Sequence, residues 1–448
     1  MTEVSRRAFL GRAGLAAGGV AVGGASLGVL AACTDSDSTR NGSPPATPLD
    51  PQDWDSVRDQ FALRRDLLQF AAFVLASPPR QVTDAISGHR AGLDADTNDY
   101  LNTMEPALDS AVITAAAGYL ETEPETIALT DSTTMGLGLV YNGIRLSPGQ
   151  EVLTSEHDFY ATHEALRMRA DRDGVDVRRV KLYDYAGTAS VDQIVTRLGD
   201  AITPATRVVA LTWVHSGTGV KLPVAEIAAE IRSMATALGI ERPLLCLDSV
   251  HGFGVEDSSP DDLGCDFLIS GAHKWLFGPR GTGLVWASAQ SWAELDLSIP
   301  SFAPGIVGAY IQNLEPVGVA AGAAATPGGY KAFEHRWALA DAFSFHQALG
   351  RDRIAERTRV QANQLKEGLA ELPGVRVVTP MDPELSSGIV CLHIDGAAIF
   401  ELPAVLRERH GLIASVTPYS MPHLRLGPSI VTSPDDVAAA IRAIDEER

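Results

Sequence analysis

Short, unbroken apolar runs alternate along the middle of this chain with segments whose apolar residues recur every three or four positions. TIAL (126–129), EVLT (151–154), DVRRVKL (176–182), TRVVALTW (206–213) and PLLCL (243–247) read as strands, each closed by turn residues. Between them, Met135–Ile144, the second half of EHDFYATHEALRMRA (156–170) and KLPVAEIAAEIRSMATALG (221–239) have helical spacing, the last strongly amphipathic. Strands that alternate with helices at this length predict an α/β fold, a mostly parallel sheet covered on both faces. Toward the C-terminus VRVVTP (375–380), GIVCLHIDG (388–396), LIASVTPY (412–419) and HLRLGPSI (423–430) predict short strands of a smaller α+β domain. Helices are expected over Glu334–Gly350 and Arg351–Leu372, and a last one from about Pro434 to Glu446 behind the start signal Ser433-Pro434-Asp435. Near the other end, the spacing of Val57, Phe61, Leu67, Leu68, Phe70 and Phe73 predicts a helix from Trp54 that leads into an extended run. Pro78-Pro79 ends that run, helices follow over Gln81–Arg90 and Ala107–Leu120, and PVGVAAGAAATPGG (316–329) reads as a flexible loop.

The first residues follow another pattern. Arg6-Arg7, then Ala8-Phe9-Leu10 and a weakly apolar Gly/Ala-rich run to Ala32, resemble a twin-arginine export signal. Leu30-Ala31-Ala32-Cys33 resembles a lipobox, in which Cys33 carries the lipid and becomes the new N-terminus. Gly24-Ala25-Ser26-Leu27-Gly28 matches the GxSxG pattern of serine hydrolases, but a disposable export segment cannot supply the strand-turn-helix setting that the pattern needs. The expected organisation is therefore a signal over 1–33, a polar, proline-rich tether over 34–52, an N-terminal segment over 53–105 that packs on the body, a large domain over 106–330 and a small C-terminal domain over 331–448.

Composition narrows the partners. A length of 448 residues with 45% hydrophobic and 21% charged positions belongs to an ordinary globular chain with room for a large core. The net charge of −20 leaves no basic surplus for phosphate backbones and argues against nucleic acid. Of the four cysteines none forms a CxxC, and no Cys/His group has zinc spacing, so no metal is expected.

The candidate chemistry gathers at predicted strand ends, where open α/β sheets bind ligands. Asp131-Ser132-Thr133-Thr134 forms a hydroxyl-rich turn at a helix start, a cup for a phosphate. An ordinary helix cap is the plain alternative for that turn. His157 and Ser216 stand at two further strand ends, while His163 reads as a surface or capping residue. In LLCLDSVHGFGVEDSSPDDLGCDFLISGAHKWLFGPRGTG (244–283) a strand ends on Asp248, and Lys274 lies between His273 and Trp275 ahead of a glycine-rich turn. An amine beside an aromatic wall loses hydration, so its pKa falls and it becomes nucleophilic, fit to hold an aldehyde as an imine.

Taken in order, LTDSTTMGLGL, the Asp248–His251 turn and AHKWLFGPRGTG resemble the class V aminotransferase family, pyridoxal-phosphate (PLP) enzymes of fold type I, in the flavour of its isopenicillin-N epimerase-like branch. The resemblance spans roughly residues 60–448. It implies that Lys274 binds PLP covalently, that Asp248 faces the pyridine nitrogen, that His251 lies near the phenolic oxygen and that His157 stacks on the ring. Thr133, Thr134 and His273 would hold the phosphate, and Arg425 the substrate carboxylate in a planar fork. Desulfurases in the family carry a nucleophilic cysteine shortly before that arginine. Here the stretch reads SVTPYSMPHLR and has none, which disfavours persulfide chemistry. Ser216 stands where desulfurases have an asparagine. Ser270 is displaced by one residue from their phosphate serine, and the threonine that relatives lend from a neighbouring subunit has no clear counterpart. The implied activity is epimerisation or transamination at the α-carbon of an amino acid or peptide-like amine. The alternatives are a carbon–sulfur lyase and a non-catalytic binding protein of the same fold. The implied assembly is a homodimer. The N-terminal pattern implies export by the twin-arginine machinery, either as a cell-envelope lipoprotein anchored through Cys33 or, after simple cleavage, as a periplasmic or extracellular protein. Replacing Arg6 and Arg7 together is expected to retain the protein inside the cell on fractionation, and undisturbed export would reject the signal reading.

Overall fold

The computed structural model describes residues 48–448; the export segment, Cys33 and the tether up to residue 47 lie outside them. The described chain opens with a short helix, Trp54–Arg58, and a strand β1 (Leu68–Gln69). The helix expected from Trp54 is present and stops at Arg58, and the chain then runs irregularly to β1, which pairs in parallel with β11 (Leu412–Ile413) near the other end of the sequence. Helices Arg80–Ala95 and Thr97–Leu120 follow, both longer than their apolar spacing suggested.

The seven-stranded sheet has the order β2-β8-β7-β6-β5-β3-β4. Its members are β2 (Ile127–Thr130), β3 (Glu151–Ser155), β4 (Asp176–Val180), β5 (Thr206–Thr212), β6 (Leu244–Asp248), β7 (Phe267–Gly271) and β8 (Gly283–Ala287). Every neighbouring pair is parallel except the two that β8 makes with β2 and β7. Successive side chains of β6 enter opposite cores: Leu245 and Leu247 one, Leu244 and Cys246 the other. That two-sided burial is why the strands read as unbroken apolar runs. Each such side chain removed from water contributes roughly 1.5–3 kcal/mol.

A four-stranded antiparallel sheet, β12-β13-β10-β9, forms the smaller layer. It comprises β9 (Val375–Val377), β10 (Val390–Ile394), β12 (Ser415–Val416) and β13 (Leu424–Leu426), packed through Leu392 and Leu424 against Leu365 of helix Arg351–Ala370 and Val437 of helix Pro434–Glu447. The expected continuous helix over 334–350 is two helices, Phe333–Trp337 and Leu339–Leu349, and the expected loop over 316–329 contains a short helix, Ala321–Ala325. Among the described residues no helix is long and apolar enough to cross a membrane.

Two local features set the edge on which the site stands. Helix Thr133–Gly143 lies so close to the sheet that a Cβ on Gly136 would meet Ile269 at 2.7 Å. Across the edge, the fully buried Asp158 accepts hydrogen bonds from Thr154 Oγ1, the Ser155 N–H and the Thr212 N–H, each at 2.7 Å, and so ties the turn after β3 to β5. Burial pushes this carboxyl up, but the nearby His215 and these donors outweigh burial and hold it below the ordinary carboxylate range. A depressed carboxyl lends its stability above its unfolded value of about 4 and loses it as pH falls through the folded one. Asp158→Ala strands three buried donors and is expected to cost about 2–5 kcal/mol in urea unfolding, with the gap to wild type closing in acid.

Candidate active site

Because β3, β5, β6 and β7 run in the same direction, the turns after them share one edge of the sheet. Asp248 closes β6 and is buried; its Oδ1 accepts the Val250 N–H at 3.2 Å, and Oδ2 takes no hydrogen bond among the described residues. Burial drives its pKa upward. Lys274 follows β7 and places Nζ 3.2 Å from His251 Nε2. Burial drives the lysine downward and outweighs Asp248, which favours the ammonium; Arg425 lowers it further. His251 is pushed well down by burial and by the Lys274 and Arg425 charges, and its buried Nδ1 has no partner among the described residues. One nitrogen of the ring is therefore uncommitted there.

The phosphate turn is assembled around Gly271. Thr133 Oγ1 accepts the Gly271 N–H at 2.8 Å, and a Cβ on Gly271 would touch the His273 imidazole at 2.9 Å and the Thr133 hydroxyl at 3.1 Å. Only glycine lets these two side chains converge. Ser132 caps the helix through Met135, which leaves Thr134 exposed at its first turn. Ser270, set aside on sequence grounds, is buried and spends its hydroxyl on the Gly271 carbonyl.

His157 already has an aromatic partner. Its ring lies on Tyr183 at 3.8 Å with the planes 7° apart, so only the opposite face is left for a planar ligand. Burial, then the neighbouring His215, lowers its pKa to about 3. Tyr183 is pinned in turn by His215 Nδ1 and Thr218 Oγ1, both 2.9 Å from its hydroxyl. His163 caps the end of β3, with Nε2 2.8 Å from the Ser155 carbonyl.

Arg425 comes from the small sheet. Its Nη1 donates to the Ser216 carbonyl at 3.0 Å, its Nε to Ser415 Oγ at 3.1 Å, and the guanidinium sits 4.5 Å over the Phe73 ring. Nη2 makes no hydrogen bond among the described residues and is free for a carboxylate. Ser415 also lines a cavity of about 400 Å³ walled by Ala72, Val74, Leu75, Phe277 and Ile413. Phe73, Tyr183, Ser415 and Tyr419 were not singled out as site residues in the sequence. For Tyr419 a signal existed, since it lies in the stretch that lacks the desulfurase cysteine.

These residues fit PLP. An amine, a buried carboxyl with an open oxygen, a stacking imidazole, a hydroxyl-and-imidazole turn at a helix start and an orphaned buried nitrogen cover the polar features of that molecule. Comparison with known proteins agrees. Residues 111–417 match the family model described as Aminotransferase class-V. The isopenicillin N epimerase of Streptomyces clavuligerus is 27% identical over 407 residues, covering 88% of this chain and 98% of that protein. A cysteine desulfurase of Enterobacter sp. (strain 638) is 25% identical over 334 residues, 71% of this chain and 76% of its own. Among solved structures, a C-DES mutant with glycine covalently linked to its PLP cofactor superposes with a TM-score of 0.78 at 20% identity, covering 87% of this chain and 99% of its own. The fold is therefore that of the type I PLP enzymes. With its pKa lowered, Lys274 is expected to capture PLP in cofactor-free protein with a pH midpoint well below the ordinary lysine value of about 10.4. Asp248→Asn removes the charge that favours the ammonium and should move that midpoint lower still. An unshifted midpoint, read from the rise of visible absorbance, would separate the two side chains.

Proposed function

The chain belongs to the class V aminotransferase family of PLP-dependent enzymes, and from that premise we propose that it inverts the α-carbon of an amino acid or a peptide-like amine. When bound, the cofactor supplies an electron sink for the α-carbon. The protein's own residues do the rest. Arg425 grips the carboxylate with its free Nη2, and Phe73 and Ser415 fix the guanidinium plane. Asp248 would face the ring nitrogen, and Thr133, Thr134 and His273 would hold the phosphate. Lys274 would move the α-proton, and its lowered pKa suits a base that works near neutrality.

The observation that carries this reading against persulfide transfer to an enzyme thiol is the state of the thiols. The three described cysteines, Cys246, Cys265 and Cys391, are all buried. Burial raises the pKa of each, Cys391 to about 12 and the other two upward as well. A thiol attacks as thiolate, so none of them is a nucleophile. The epimerase relative, matched over nearly its whole length, supports inversion. A second reading, carbon–sulfur lysis, draws on the likeness in fold to the cystine C–S lyase C-DES, with a TM-score of 0.76 at 20% identity.

We extend the proposal to location and assembly. Export through Arg6-Arg7 suits a protein that folds around its cofactor before crossing the membrane, and Cys33 would anchor it. A homodimer is supported by the apolar side chains left in water over 302–330: Phe302, Tyr310, Val317 and Tyr330 are 60%, 81%, 90% and 86% exposed. The deciding experiment incubates the PLP-loaded enzyme in D2O with a panel of L- and D-amino acids, cystine included. Inverted, α-deuterated product is expected. A keto acid with amine left on the cofactor identifies transamination, and persulfide identifies the lyase. Lys274→Ala should abolish product and visible absorbance together.

A further inference from the structure

Inversion removes a proton from one side of a carbon and delivers another to the opposite side, so it needs two groups. Lys274 is one. His251 cannot be the second, because its Nε2 touches the lysine itself at 3.2 Å. Along the sheet edge the order of strands is β7, β6, β5, β3, so the Asp248 turn separates Lys274 from the turns that carry Ser216 and Phe159. Tyr419 stands on that far side. Its hydroxyl is 2.7 Å from Ser216 Oγ, and its ring meets Phe159 edge-on at 6.3 Å. A Cβ on Gly217 would lie 2.9 Å from the tyrosine ring, so the glycine lets the phenol lie against the turn. The Ser216 carbonyl, in turn, receives Arg425 Nη1 at 3.0 Å. One residue thus links the carboxylate grip to the phenol. A carboxylate on Arg425 would bring the attached α-carbon toward the Ser216 turn that holds the Tyr419 hydroxyl, while Lys274 would approach from beyond the Asp248 turn.

We propose that Tyr419 is the second proton-transfer group of the inverting reaction, serving the side of the α-carbon opposite Lys274. This rests on the inverting reading above. In one direction the Cα–H bond breaks and its proton goes to Lys274 Nζ. A new Cα–H bond forms with the Tyr419 hydroxyl proton. The ammonium and phenolate left behind are reset when a proton passes from Nζ back to the phenol oxygen through solvent and the Ser216 hydroxyl. The opposite direction exchanges the roles, and no oxidant or reductant enters. Burial keeps the phenol protonated, while the Ser216 hydrogen bond and the Arg425 charge ease its ionisation.

The test uses PLP-loaded full-length Tyr419→Phe in D2O, with both enantiomers of the amino acid that the wild type inverts fastest. Inversion should fall by about 10²-fold or more. Exchange of the α-hydrogen for deuterium with retained configuration should continue from one enantiomer only, because Lys274 still serves its own side. PLP affinity and the absorbance spectrum should match the wild type. Inversion at the wild-type rate, or equal loss of exchange from both enantiomers with the spectrum intact, overturns the proposal. If Tyr419→Phe does not fold, Ser216→Ala replaces it: the backbone carbonyl that holds Arg425 stays and the phenol loses its partner, so exchange from the enantiomer served by Tyr419 should slow while exchange from the other is unchanged, and equal slowing of both or slowing of neither overturns the idea. A wild type that deuterates without inverting any member of the panel defeats the inverting reading itself, before any variant is made, and the role of Tyr419 falls with it.

Discussion

A carboxyl and an amine at the ends of two neighbouring parallel strands, both withdrawn from water, set the terms for this molecule. Asp248 pairs in register with Ile269 of the adjacent strand, and Lys274 follows a few residues beyond that strand's end. Burial pushes the two pKa values toward each other, the carboxyl up and the lysine down. Left alone, neither group gains the full solvation of a charge. The pair is a standing electrostatic deficit that a cationic ring nitrogen and a covalently captured aldehyde would relieve, and the rest of the site is built around it.

Relief requires a ligand held flat and in one orientation, and the surrounding residues are fixed accordingly. Gly271 brings Thr133 and His273 together at the helix start. Tyr183, itself pinned by His215 and Thr218, takes one face of His157 and fixes the plane of the other. Arg425 is anchored at Nη1 and Nε and backed by Phe73, so its loose end points in a defined direction. Such double anchoring limits the side-chain entropy lost when a substrate binds.

The small sheet supplies what the large one lacks. Every candidate PLP-holding residue stands on the large sheet, while Arg425, Ser415 and Tyr419 all come from the stretch around β12 and β13. Tyr419 lies in the stretch SVTPYSMPHLR ahead of Arg425, the region in which the family's desulfurases carry a cysteine and this chain has none.

The alternation of apolar runs and helical spacing was enough to predict a mostly parallel α/β sheet with short strands of a smaller α+β domain, because two-sided burial and helix periodicity are written in adjacent residues; that the smaller sheet is antiparallel was not predicted. Lys274, Asp248 and the threonine turn were legible for the same reason: each lies within a few residues of its own strand end. The helix expected from Trp54 forms but ends at Arg58, and the apolar residues beyond it include a strand that pairs with Leu412, a partner that spacing cannot announce. Likewise Tyr419 and Arg425 reach Ser216 across 203 and 209 residues of chain. The sequence by itself determined which groups are available and which strand ends carry them. Only the tertiary structure decided that His157 is already stacked, that Arg425 is aimed by a carbonyl beside the other sheet, and that the Tyr419 phenol meets Ser216, because those relations depend on the closing of long crossovers rather than on neighbours along the chain.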